Sequence, residues 1–193
     1  DLFTVNLHRI VDRASQTKRP VWIDMENSPY TQATIDTYKE TYPEYSELGL
    51  CLQANLRRTR RDLEDLLSIG AKIRLVKGAY PENEAVAYKK KPEIENNYRE
   101  LLNLLFEKGN GFVVGTHDDK LIAHAQLLNK DYQANFEFEF LKGIRDDLKE
   151  KLVNENKRVG EYIPYGPEWY NYSKRRIRER KRNILLLLRS ITG

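Results

Sequence analysis

Two adjacent arginines, three and four positions after a tyrosine, are the strongest chemical signal in this 193-residue chain. In the segment YSKRRIRE, Tyr172, Arg175, Arg176 and Glu179 stand at relative positions 0, 3, 4 and 7, which share one face if the segment is helical. Guanidinium groups offer planar, forked donors, so an adjacent Arg pair on such a face could hold a small carboxylate in one orientation. A solvated basic helix is the alternative that this segment by itself leaves open.

Three further segments carry candidate chemistry. RLVKGAY, Arg74 to Tyr80, sets two cations three residues apart around an apolar strand, and Gly78 lets backbone approach a ligand closely. Snorkelling cations before a turn glycine would look the same. GTHDD, Gly115 to Asp119, joins a strand to a helix whose N-terminus could receive a phosphate, with Thr116 and His117 as side-chain donors. Asp118 or Asp119 could equally be no more than the helix N-cap. IDMENS places Asp24 and Glu26 two apart, on one side of an extended strand, where paired carboxylates do acid–base work or pair with Arg74 or Lys77. His8, His117 and His124 form no ligand spacing with a cysteine or carboxylate cluster, so no metal site is expected. No strand is followed by Gly-x-Gly-x-x-Gly, and no Walker sequence occurs.

These residues need a scaffold, and the rhythm of the chain describes one. Apolar, β-branched runs fall at 21–23, 48–52, 73–76, 112–114, 135–138 and 159–163. Segments with helical spacing lie around 31–42, 57–69, 93–108, 119–129, 143–155 and 168–190, and a helix from Leu7 to Ser15 precedes the first strand. Strand then helix, six times over, predicts a parallel sheet with crossover helices, either doubly wound or a (β/α) barrel. Every predicted strand ends in reactive side chains: Asp24 and Glu26, Gln53 and Asn55, Arg74 and Lys77, Thr116 and His117, Glu137 and Glu139, Tyr162 and Tyr165. Six loaded strand ends favour the barrel, whose strands all converge on one mouth. A closed barrel has eight units, so either two N-terminal units are missing from these 193 residues or the fold is an incomplete barrel, and the abrupt beginning at Asp1 favours the former.

Composition bounds the rest. The length suits one domain over 1–193 with a real core. Apolar residues make up 40% and charged residues 32%, which predicts a soluble globular protein rather than disorder. Net charge is +4, with the excess crowded between Lys174 and Arg182, so a nucleic-acid-binding module is a rival reading of that cluster. The aliphatic run Leu185 to Leu188 is far short of a membrane span. Cys51 is the single cysteine, pointing to a reducing, cytoplasmic compartment.

Taken in order, IDMENS, LCLQANLRRT, RLVKGAY, VVGTHD, FEFEFLKGIR, EYIPYG and YSKRRIRE resemble the proline dehydrogenase family over residues 4 to 183. The resemblance implies a (β/α)8 TIM-like barrel, of which this chain carries about six units, strands three to eight. It implies an enzyme that binds FAD, oxidises L-proline to 1-pyrroline-5-carboxylate and passes electrons to a quinone, cytoplasmic or peripheral on the inner face of the membrane, without nucleic acid. By the same resemblance Asp24 and Arg74 fall at catalytic positions. Met25, Gln53, Lys77, Gly78, Ala79, Thr116, His117, Glu139 and Glu179 fall at cofactor-binding positions, and Tyr162, Tyr172, Arg175 and Arg176 where the substrate is held.

The chain departs from the family pattern in three places. The first two strands, the second of which supplies a carboxylate-binding Lys, are absent from it. Glu139 stands where the family usually has Gln, an acceptor-only group for a neutral one, which bears on contacts at the adenine end of the cofactor. Asn55 replaces a common aromatic. A different barrel enzyme, using GTHD for a phosphorylated substrate, is the remaining alternative.

Overall fold

The computed structural model describes residues 2–167. Six strands alternate with helices in the order α1 (Leu2–Thr17), β1 (Val21–Ile23), α2 (Ser28–Thr41), β2 (Leu48–Gln53), α3 (Thr59–Ser68), β3 (Lys72–Val76), α4 (Lys91–Lys108), β4 (Phe112–Gly115), α5 (Asp119–Tyr132), β5 (Phe136–Leu141), α6 (Asp146–Asn154) and β6 (Val159–Tyr162). The chain divides into two compact units, Asp1–Gly160 and Glu161–Gly193, and the helices and sheet described here belong to the first except for the last two residues of β6.

The six strands lie in chain order in one sheet, β1-β2-β3-β4-β5-β6, and the pairs from β1 to β5 are parallel. A doubly wound sheet reverses its order at a switch point, whereas a barrel adds each strand beside the one before it. Sequential order therefore settles the choice the periodicity left open: this is the (β/α) barrel architecture, with six of its strands among the described residues.

Register sorts the side chains into two faces, because successive residues of a strand point to opposite sides. Leu50 pairs with Ile73, and Leu52, Leu75, Val114 and Phe138 continue that apolar ladder; all six are essentially inaccessible. Helices cover this face. Tyr98 and Tyr38 stand fully buried in α4 and α2, and their hydroxyls donate to the carbonyls of Leu75 (2.9 Å) and Leu48 (3.3 Å), so that two large rings enter the core with their polar ends satisfied.

The other face is where chemistry collects. Trp22 pairs with Gly49, Cys51 with Arg74, Arg74 with Val113, Val113 with Glu137, and Gly115 with Glu139. Gly49 is required here: a Cβ would stand 2.4 Å from the Trp22 ring. Burial pushes the Cys51 thiol up to about 12, the Arg74 charge opposing, so it stays a neutral filler of this layer.

Most boundaries lie within about three residues of the expected ones, and two differences have a visible reason. Helix α1 begins at Leu2, not Leu7, because Leu2, Phe3, Val5 and Ile10 are exposed apolar residues that blur its helical stripe, while Leu7, Val11 and Ala14 face the core. Strand β5 runs on to Leu141 because FEFEFL alternates throughout.

Candidate active site

Arg74 is the centre of the inner face. Its side chain, 7% exposed, reaches from β3 to two carboxylates: Nη1 lies 2.6 Å from Asp24 Oδ1, just beyond β1, and Nε lies 2.9 Å from Glu139 Oε2 on β5. The guanidinium also faces the Trp22 ring, 5.1 Å from its centroid. A cation this deep requires close counter-charge, and carboxylates from β5 and from the loop after β1 supply it. Burial raises the Glu139 carboxyl above its ordinary value; Arg74 pulls it down, while Asp24 and Glu137 add to the rise. Glu139 thus acts through the same guanidinium as Asp24.

Asp24 and Glu26 do not share a strand, since β1 ends at Ile23. They lie in the following loop and part company there: Asp24 joins Arg74, and Glu26 accepts the Tyr80 hydroxyl.

Lys77, three residues beyond Arg74, is held by a different pair. Its Nζ lies 2.7 Å from Asp118 Oδ2 and 3.1 Å from Glu95 Oε1. Burial works to raise the Asp118 carboxyl, but the hydrogen bond and charge of Lys77 outweigh it and hold Asp118 at about 2. Asp118 is also the N-cap of α5, accepting from the backbone N–H of Lys120 at 3.0 Å. Next to Lys77, Gly78 takes φ +99° with the Asn55 side chain packed over it; a Cβ would fall 2.0 Å from Asn55 Oδ1. That Oδ1 is buried and accepts no hydrogen bond.

The other strand-end residues have their own partners. Met25 is buried, and Gln53, also buried, donates through Nε2 to the Glu26 carbonyl at 2.8 Å. Thr116 is buried after β4 and its Oγ1 accepts from the Asp118 N–H at 3.2 Å. His117 accepts at Nε2 from the Leu141 N–H at 3.0 Å, which places its ring proton on Nδ1. Ala79 follows Gly78 into the loop, and Tyr162 closes β6 in the second unit. Tyr172, Arg175, Arg176 and Glu179 lie outside the described residues.

Sequence reasoning missed the long loop after β3. Glu82 reaches across it to accept from both the N–H and the Oγ of Ser28, each at 2.6 Å, at the first residue of α2. Leu56 bridges Ala87 in the same loop, and Arg57 lies over the Tyr88 ring. Tyr80 was within reach of the motif RLVKGAY; Glu82 stands 54 residues from its partner and carries no local signal.

An Arg with two carboxylates on the inner face, and a Lys before a glycine turn, gather charged side chains at the strand ends, the face on which barrels of this architecture carry their sites. The family model for proline dehydrogenase matches residues 2–184. This chain belongs to the proline dehydrogenase family. It is 37% identical over 195 residues to "Proline dehydrogenase 2" of Bacillus subtilis, covering 100% of this chain and 64% of that one. To "Proline dehydrogenase" of Deinococcus radiodurans it is 35% identical over 199 residues, covering 99% and 63%. The chain therefore spans a little under two thirds of the length of these relatives. In fold it is similar to proline utilization A from Bdellovibrio bacteriovorus, solved after inactivation by N-propargylglycine, with a TM-score of 0.84 and 24% identity, over 91% of this chain and 21% of that one. Among the described residues, no helix is long and apolar enough to cross a membrane.

Proposed function

We propose that this chain supplies the catalytic face of a flavin-dependent proline dehydrogenase, oxidising L-proline to 1-pyrroline-5-carboxylate and passing the electrons to a quinone. The observation that carries the reading is the buried Arg74, held by Asp24 and Glu139 on the inner face of a barrel of this family.

The residues present fit a flavin. Gly78 stands beside the Lys77 ammonium under the Asn55 side chain, whose buried Oδ1 lacks a donor, and His117 holds its proton on Nδ1. Met25, Gln53, Lys77, Gly78, Ala79, Thr116, His117 and Glu139, with Glu179, would hold FAD. When bound, the flavin supplies the hydride acceptor. The Arg74 guanidinium favours an electron-rich ring to the extent that its two carboxylate partners leave its charge uncompensated, and it is preorganised because those partners hold it before any ligand arrives. Asp24, half-exposed on the same guanidinium, orients Arg74 and stands ready to take the amine proton of the substrate. Arg175 and Arg176 would clamp the proline carboxylate, with Tyr162 and Tyr172 against the ring, so that the carbon losing hydride is fixed in place.

The test is direct. Protein purified in the presence of FAD should retain the flavin absorbance, and anaerobic L-proline should bleach it and support reduction of a quinone. A folded protein that retains no flavin, or one whose flavin proline leaves oxidised, would overturn the reading. Assay with anionic vesicles present and absent tests the peripheral membrane contact, which predicts co-sedimentation.

A further inference from the structure

Among the described residues, three formal charges meet on the inner face with an excess of one negative: Arg74 against Asp24 and Glu139. The two acids are not equivalent. The Asp24 side chain is 48% exposed and keeps much of its water, whereas that of Glu139 is 15% exposed and depends on Arg74 for its counter-charge. Around Glu139, β1 contributes the neutral Trp22 and, just past its end, Asp24; β2 contributes the neutral thiol of Cys51, and β3 Arg74. On β5 itself Glu137 adds negative charge, itself paired with Arg158 at 3.2 Å, and toward β6 the neighbour is Gly160, which has no side chain.

We propose that Glu139 is a positioning residue that sets the charge and the plane of the Arg74 guanidinium. Ionised, it draws the Nε edge toward β5 and, with Asp24, more than neutralises the cation. Protonated, it leaves Asp24 as the close counter-charge among the described residues, and the inner face becomes more positive by one unit. Because burial raises the Glu139 carboxyl above its ordinary 4.5, this change falls at a higher pH than for an exposed glutamate. The consequence for a bound flavin rests on the function proposed above: an electron-rich reduced ring is favoured by the protonated cluster and disfavoured by the ionised one.

Trp22 gives a readout that needs no cofactor, since Arg74 lies against its ring. In a Trp169→Phe background, leaving Trp22 as the only tryptophan, emission excited at 295 nm should show a transition above pH 4.5 while circular dichroism stays constant. Glu139→Gln should abolish it. Asp24→Asn should retain it but move it to lower pH, because the Asp24 charge raises the Glu139 carboxyl. A flat titration in the folded parent, or an unchanged one in Glu139→Gln, overturns the proposal. Should Glu139→Gln fail to fold, Arg74→Met decides: loss of the transition supports the proposal and its persistence overturns it. With FAD bound, Glu139→Gln should raise the flavin midpoint potential at pH 7, and equal potentials overturn the charge effect. If neither protein binds FAD, the flavin reading fails, while the Trp22 titration still decides the role of Glu139.

Discussion

Lys77 Nζ sits 2.7 Å from Asp118 Oδ2 and so ties the loop after β3 to the N-cap of α5, across 41 residues of sequence. One carboxylate thereby serves a helix terminus and a strand-end cation together.

This gives a pH prediction with a definite sign. Asp118 titrates at about 2 in the fold against an ordinary 3.8. A carboxyl lowered by folding contributes its stability above the unfolded value and loses it as pH falls through the folded one. Asp118→Asn keeps a competent cap but removes the charge. We predict a loss of about 1 kcal/mol at pH 7, the partly exposed pair being screened by solvent, with parent and variant converging as pH falls from about 4 to about 2. Urea titrations at several pH values would measure this, and a constant difference down to pH 2 would refute it.

Glu82 pins the loop after β3 to the start of α2 through two hydrogen bonds to Ser28, and its charge sits at a helix N-terminus. Glu82→Ala should release the loop more than it destabilises the fold. Tryptic cleavage at the exposed Lys89 and Lys90 should speed up several-fold, whereas global stability should fall by only about 1–2 kcal/mol. Equal cleavage rates in parent and variant would show that the clasp does not hold the loop.

Gly78 combines left-handed backbone with a crowded Cβ position. Gly78→Ala should cost roughly 1–3 kcal/mol. Adding Asn55→Ala removes the clash but not the backbone strain, so the double variant should recover part of the loss and no more. Denaturant melts of the four proteins give the cycle, and full recovery would mean that the conformation itself is unstrained.

If Arg175 and Arg176 clamp the substrate carboxylate, Arg175→Met should raise the KM for proline by roughly 10- to 100-fold, the worth of a charge-assisted hydrogen bond. FAD retention should not change. Steady-state kinetics with a dye acceptor test it, and an unaltered KM would rule the clamp out.

Elements were legible where one face is apolar and one is not. β3 shows this: Ile73 and Leu75 alternate with Arg74, and the strand observed, Lys72–Val76, differs from the expected one by a single residue. Helix α5 was legible through Asp118, which the structure makes its cap. Pairings were not. Arg74 and Lys77 stand in one motif, yet their acids come from elsewhere, Asp24 50 residues and Asp118 41 residues away. Nothing local distinguishes Asp24 from Glu26, and only the barrel's curvature brings one of them to Arg74 and turns the other to Tyr80. The motifs named Arg74, Lys77 and Asp24, while the strand order decides which acid each cation meets.

That order also has a consequence for how the chain assembles. From β1 to β5 each strand's partner is the next one made, and the widest step, Ile73 to Phe112, is 39 residues. The entropy of closing a loop grows only slowly with its length, but it must be met before a contact forms. Here each closure is modest and brings its own crossover helix, so the sheet can extend one unit at a time from the N-terminal side during synthesis. On such a path Arg74 would meet Asp24 before Glu139 emerges, and the cation would be partnered as soon as β3 docks.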